Sequence, residues 1–174
     1  NQYTVTYTAQ IELDAFEPDD TPAEANTIPF GTPQAHSILP AGDVDWVKFT
    51  LGATSDVTLE TAGDPAGDTV MGLYESDGTT LIEQNDDGGA GSYSLIERTG
   101  MNALPAGTYL AKIRGFSAAA TEIEHYTITV TGPPDPLQPY VDYLLGITSD
   151  DTGLDANSDG TVDIADLTWK QLHP

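Results

Sequence analysis

Two acidic stretches of the chain hold side chains at spacings that could do chemistry. Near the C-terminus the order is Asp155-Ala-Asn157-Ser-Asp159-Gly160-Thr161-Val-Asp163-Ile-Ala-Asp166. Oxygen donors alternate through its first half, a glycine sits at the middle, and acids close it. Such a loop suits calcium, a hard cation that takes six to eight oxygens at about 2.3–2.6 Å. Asp155, Asn157 and Asp159 supply side-chain oxygens, Gly160 permits the sharp turn, and Thr161 offers its carbonyl. Asp163 acts directly or through water, and Asp166 closes the loop from the helix expected after it.

The second stretch lies near the N-terminus. Glu17, Asp19 and Asp20 fall within four residues, and Asp43 and Asp45 flank a strand start. Brought together, these carboxylates would repel one another unless a cation joined them. Asp86 and Asp87 are different. They stand in a glycine-rich turn, which favours Asp for its own backbone hydrogen bonds.

The whole chain has the same bias. Its 174 residues include 28 acids against five Lys and Arg, a formal net charge of −23. That charge repels nucleic acid and anionic membrane and calls for divalent counter-ions. There is no cysteine, so disulfides, thiol catalysis and cysteine-bound zinc are excluded. No apolar run reaches the roughly 20 residues of a membrane span. His36, His125 and His173 are far apart in sequence with no metal-ligand spacing, and no nucleophile-elbow or phosphate-loop motif occurs. These features indicate a non-enzyme. Asn1 is read as a mature N-terminus after processing, and millimolar extracellular calcium suits weak sites. The expected location is therefore extracellular or at the surface of a bacterial or archaeal cell.

The elements that must hold these residues are mostly strands. Tyr3, Val5, Tyr7, Ala9, Ile11 and Leu13 alternate with polar residues, which predicts a long half-buried strand. The acidic stretch Asp14–Asn26, with Pro18 and Pro22, reads as an ordered loop. Further strands are predicted at Trp46–Leu51, Val57–Thr61, Val70–Tyr74, Thr79–Gln84, Tyr93–Glu97, Thr108–Arg114 and His125–Val130. Turn signals separate them, and many short strands without long helices predict an antiparallel sandwich. Pro133, Pro134 and Pro136 mark a stiff linker over 133–139. Val141, Leu144 and Leu145 then fall at helical spacing, and a second helix is expected from about Asp163, with Ile164, Leu167 and Leu172 inward.

Residues 14–132 resemble a bacterial pre-peptidase C-terminal domain. The resemblance rests on Asp14-Ala-Phe-Glu17-Pro-Asp19-Asp20-Thr-Pro-Ala-Glu24-Ala and Gly42-Asp43-Val44-Asp45-Trp46-Val47-Lys48-Phe49. It continues through Leu73-Tyr74-Glu75-Ser76-Asp77-Gly78-Thr79 and Pro105-Ala106-Gly107-Thr108-Tyr109. It implies a jelly-roll-like β-sandwich attached to exported proteins, related to the collagen-binding modules of collagenases. By position it implies calcium ligands at Glu17, Asp19, Asp20 and Asp45, with Asp14 and Asp43 offset from the family pattern. Residues 140–174 resemble a single dockerin repeat, an EF-hand-type loop that ends in Asp. The segment Ser149–Gly153 is too short to be a second loop. The resemblance thus implies a small helix–calcium loop–helix appendage.

Gln2-Tyr3-Thr4-Val5-Thr6-Tyr7-Thr8 also repeats the pattern of His125-Tyr126-Thr127-Ile128-Thr129-Val130-Thr131. The second copy reads as a remnant of a preceding tandem domain, as an extra edge strand of the same sandwich, or as a donor strand that docks on a neighbouring chain with Tyr3, Val5 and Tyr7 in its pockets. The expectation is a secreted calcium-binding assembly protein linked head-to-tail into a fibre, over segments 1–13, 14–132, 133–139 and 140–174. The rival expectation is a carbohydrate- or collagen-type binding module accessory to a secreted hydrolase, with a polysaccharide or matrix ligand.

Overall fold

The structure, a computed structural model, describes residues 14–117, 120–133, 153–158 and 161–172, without the side chains of Leu167 and Gln171. The expected strand over Tyr3–Leu13, the helix around Val141–Leu145, and loop residues Asp159 and Gly160 lie outside the described residues. The chain divides into two compact units, Asn1–Pro133 and Pro134–Pro174.

The first unit contains strands β1 (Asn26–Thr27), β2 (Gln34–Ile38), β3 (Val44–Leu51), β4 (Val57–Gly63) and β5 (Thr69–Glu75). They are followed by β6 (Leu81–Asn85), β7 (Leu95–Arg98), β8 (Gly107–Gly115) and β9 (Ile123–Thr131). One sheet has the order β1-β3-β8-β5-β6 and the other β2-β9-β4-β7. Pairing is antiparallel except between β1 and β3, which run parallel. The result is the expected mostly-β, two-sheet sandwich, and every strand predicted within the described residues is present to within a few residues. β1 and β2 were not expected.

Alternation along each strand builds the core. Val47, Phe49 and Leu51 of β3 face inward with Met71 and Leu73 of β5, Ala111 and Ile113 of β8, and Ile128 and Val130 of β9. The other face of β3 carries Trp46, which is 5% exposed beside Ala25 and Leu110. Its ring lies 5.2 Å from that of Tyr74 and 5.6 Å from the Lys112 ammonium. Trp46 is therefore packed, not offered for stacking on a sugar. β7 starts later than predicted because Ser94 is drawn into a buried polar knot. Its N–H donates to Thr61 Oγ1 at 2.9 Å, and the hydroxyls of Thr61 and Thr69 lie 2.7 Å apart.

In the second unit, helix α1 spans Ile164–Leu172. Asp163 caps it, its Oδ1 accepting the Ala165 N–H at 2.7 Å. The expectation that Ile164 and Leu172 face inward is corrected, since they are 64% and 71% exposed.

Candidate metal centre

The inward alternation of β3 does not stop at Val47. One step earlier on the same face stands Asp45, a carboxylate with 0% exposure in line with Val47, Phe49 and Leu51. Opposite it, in the second sheet, β2 sends His36 inward between Gln34 and Ile38, and β9 pairs Tyr126 with His36. One end of the core is thus polar, built from both sheets. The Tyr126 hydroxyl crosses between them and donates a short hydrogen bond to Asp45 Oδ2.

The acidic loop covers this end. The Asp19 carbonyl accepts the Trp46 N–H at 3.0 Å, which lays the loop along β3 and buries the Asp19 side chain completely. Asn26 Nδ2 donates to the Phe16 carbonyl at 2.8 Å and to Asp19 Oδ2 at 3.3 Å. Asp14 is held by the N–H groups of Phe16 at 2.9 Å and Ser37 at 2.8 Å. Asp43 accepts the N–H groups of Leu39 at 2.8 Å and Val44 at 2.9 Å. Outside these groups a cleft of about 510 Å³ opens between Glu17, Pro18 and Asp20 on one side and Leu39–Asp43 on the other.

The arrangement forms two clusters that share Asp45. Ligand atoms of Glu17, Asp43 and Asp45 lie within 4.8 Å of one another, and so do those of Asp14, His36 and Asp45. Asp19 Oδ1, Asp45 Oδ1 and His36 Nδ1 are buried without a hydrogen-bond partner. Burial pushes the Asp45 carboxyl up to about 9, against the Tyr126 hydroxyl, which favours the ionised form. Burial likewise pushes Asp19 up to about 7, opposed by Asn26. Glu17 and Asp43 are raised, chiefly by burial, with Asp43 adding to the effect on Glu17 and Asp20 to that on Asp43. Carboxylates packed this way are costly to ionise unless a cation neutralises them. The orphaned oxygens and the all-oxygen set of Glu17, Asp43 and Asp45 fit calcium.

Of the sequence-predicted residues, Glu17, Asp19, Asp43, Asp45 and Asp14 meet at this end, while Asp20 stays exposed on the rim of the cleft. His36 and Tyr126 were not anticipated as part of a site. The predicted surface turn at Asp86 and Asp87 also meets Asp68, with ligand atoms within 4.8 Å.

In the second unit, Asp166 Oδ1 accepts the N–H groups of Ala156 at 2.8 Å and Asn157 at 3.1 Å. Its Oδ2 accepts the Asp163 N–H at 2.9 Å, completing a capping box with Asp163. Asp166 is fully buried and ties the loop to α1. Ser158 has φ +61, a left-handed conformation uncommon outside glycine that turns the loop sharply. Asp155, Asn157 and Thr161 lie on the described part of this loop.

No family model matches the chain, and no curated protein matches it. Among solved structures, it is similar to the pre-peptidase C-terminal domain of collagenase from Bacillus anthracis, with TM-score 0.50 and 14% identity. That similarity covers 66% of this chain and 98% of the collagenase domain. The periplasmic inhibitor of g-type lysozyme from Aeromonas hydrophila has TM-score 0.43 and 14% identity, over 63% of this chain and 96% of the inhibitor. The first similarity is one of fold, and it covers the β-sandwich expected for residues 14–132.

Proposed function

We propose that this chain is a non-catalytic accessory module of an exported protein, a sandwich stabilised by calcium that holds its host to an extracellular polymer. The observation that carries the calcium reading is the pair of fully buried carboxylates, Asp19 and Asp45, each with an oxygen that no donor satisfies. A protein interior rarely tolerates such groups unless an ion completes them. Glu17 and Asp43 complete the oxygen set, and Asp20 sits at the entrance. A second calcium is proposed in the Asp155–Asp166 loop. The binding role draws on the fold shared with a collagenase domain, and the polymer is of polysaccharide or collagen type.

Head-to-tail assembly is the less favoured reading. Tyr3, Val5 and Tyr7 lie outside the described residues, and β9, whose pattern they repeat, is already flanked by β2 and β4. A second copy of that strand would have to add beside β2 or β7, which among the described residues are the outer strands of that sheet. The deciding experiment is retention of the purified chain on insoluble polysaccharides and fibrillar collagen, in calcium and in chelator, with sedimentation in the same buffers. Calcium-dependent retention of a monomer is expected. A folded protein that binds no polymer and sediments as a calcium-dependent polymer would overturn the module in favour of assembly.

A further inference from the structure

The two clusters that share Asp45 differ in the kind of ligand atom they offer. Glu17, Asp43 and Asp45 offer only oxygen, whereas Asp14, His36 and Asp45 add an imidazole nitrogen. Calcium takes oxygen ligands, while imidazole suits zinc and its neighbours in the first transition row.

The surroundings of His36 determine which nitrogen is available. Gln34 Nε2 donates to the Thr27 carbonyl at 2.9 Å, which turns its Oε1 toward His36 Nε2, 3.5 Å away. This contact favours the tautomer with the proton on Nε2 and the lone pair on Nδ1, the arrangement in which an outer hydrogen bond orients a metal-bound histidine. The ring is fixed by stacking, with centroids 4.7 Å from Phe16 and 5.8 Å from Tyr126. Its side chain has 0% exposure. Nδ1 has no hydrogen-bond partner and lies 3.6 Å from Asp19 Oδ2 and 3.9 Å from Asp14 Oδ1. A lone pair aimed at carboxylate oxygens is repelled, and either a proton on Nδ1 or a cation shared with the carboxylates relieves it. Those separations match ligand atoms that share one ion at about 2.0–2.2 Å each.

We propose that Asp14, His36 and Asp45, with Asp19 beside them, form a site for a zinc-class divalent cation, bound through His36 Nδ1 and separate from the calcium cluster. This rests on the reading of this end of the sandwich as a cation centre and adds a second kind of ion to it. Two carboxylates and one imidazole balance the charge of a divalent ion when Asp14 and Asp45 are ionised. Because Asp45 belongs to both clusters, the same carboxylate faces both ions.

The test uses the untagged full chain, stripped with chelator and returned to millimolar calcium, then titrated with Co²⁺ as a coloured stand-in for Zn²⁺. One Co²⁺ per chain with visible absorption, displaced by Zn²⁺, is expected. The His36→Gln variant should bind Co²⁺ more than about tenfold more weakly, since losing even an outer partner costs that much. Its calcium stoichiometry should be unchanged. Absence of Co²⁺ and Zn²⁺ binding in calcium, or undiminished binding by the variant, overturns the proposal. If the variant does not fold, nitrogen NMR of the wild-type histidines decides. Zn²⁺ must shift Nδ1 of the buried ring, and a ring protonated at both nitrogens and indifferent to Zn²⁺ overturns the proposal. Calcium binding, measured on the same samples by equilibrium dialysis, reports separately on the earlier reading.

Discussion

The hydroxyl of Tyr126 in one sheet donates to the carboxylate of Asp45 in the other, so the two sheets are joined at one end of the core by a buried polar contact. Tyr126→Phe removes the donor and leaves both Asp45 oxygens unsatisfied. In chelator this should cost about 1–3 kcal/mol of stability, the usual penalty for orphaning a buried acceptor. In calcium the loss should be smaller, because the ion takes over the carboxylate. Urea unfolding under both conditions measures the difference, and equal losses would count against an ion at Asp45.

Stability should depend on pH in opposite senses with and without calcium. Burial raises Asp19 to about 7 and Asp45 to about 9 in the folded chain. A carboxyl so raised supports folding fully below its unfolded pKa, and that support is lost as pH rises through the folded value. In chelator the melting temperature should therefore fall from about pH 5 to about pH 9. In saturating calcium both groups are held ionised and protons compete with the ion, so melting should fall as pH drops below about 7. Calorimetric scans across this range test both arms, and a chelated protein that grows more stable with rising pH would contradict the buried-carboxylate account.

The acidic loop leans on a distant turn. Gly78 has φ +67, and a Cβ there would lie 2.5 Å from Pro22 Cβ, on the same loop as Glu17 and Asp19. Asp77 fixes this turn by accepting the N–H groups of Thr79 and Thr80, both at 2.8 Å. Gly78→Ala should destabilise the fold by about 1–3 kcal/mol through backbone strain, and should weaken calcium binding by displacing Pro22. Gly91 has φ +68 but nothing within 4 Å of its Cβ position, so Gly91→Ala should show the strain without the loss of affinity. Calcium titration of the two variants separates these effects.

In the second unit, Asp155→Ala should remove one calcium equivalent per chain in equilibrium dialysis. Asp166→Ala should do the same, and should also weaken α1 by freeing the N–H groups of Ala156, Asn157 and Asp163. Circular dichroism at low calcium would show the second effect. An unchanged calcium stoichiometry in both variants would remove this loop from the ion count.

The strands that were legible in the sequence are those whose inward positions are apolar, such as Val47, Phe49 and Leu51, or Ile128 and Val130. β2 escaped because its inward residues include Gln34 and His36, which break the alternation. The same fact hid half of the site. The acids of Asp14–Asp20 stand out locally, but the partners supplied by the second sheet, His36 and Tyr126, come together only through the pairing of β2 with β9. Asp45 was visible as an acid beside a strand, and its burial follows from counting back in twos from Val47. In the second unit the loop spacing was plain. The outward placement of Ile164 and Leu172 was not, because helical periodicity marks one apolar face without saying what covers it.

The loop that brings Asp19 to the polar end of the core also finishes a sheet. β3 is eight residues long, and among the described residues its outer side meets the two residues of β1, the Ile28 N–H donating to the Lys48 carbonyl, and the Asp19 carbonyl receiving the Trp46 N–H. Without that cover, a long strand bearing Trp46, Val47 and Phe49 would present unpaired backbone to any other chain, a template for aggregation. An ion bound at the proposed site would therefore also guard an edge. Removing it with chelator near the melting temperature is expected to raise light scattering before the sandwich itself unfolds.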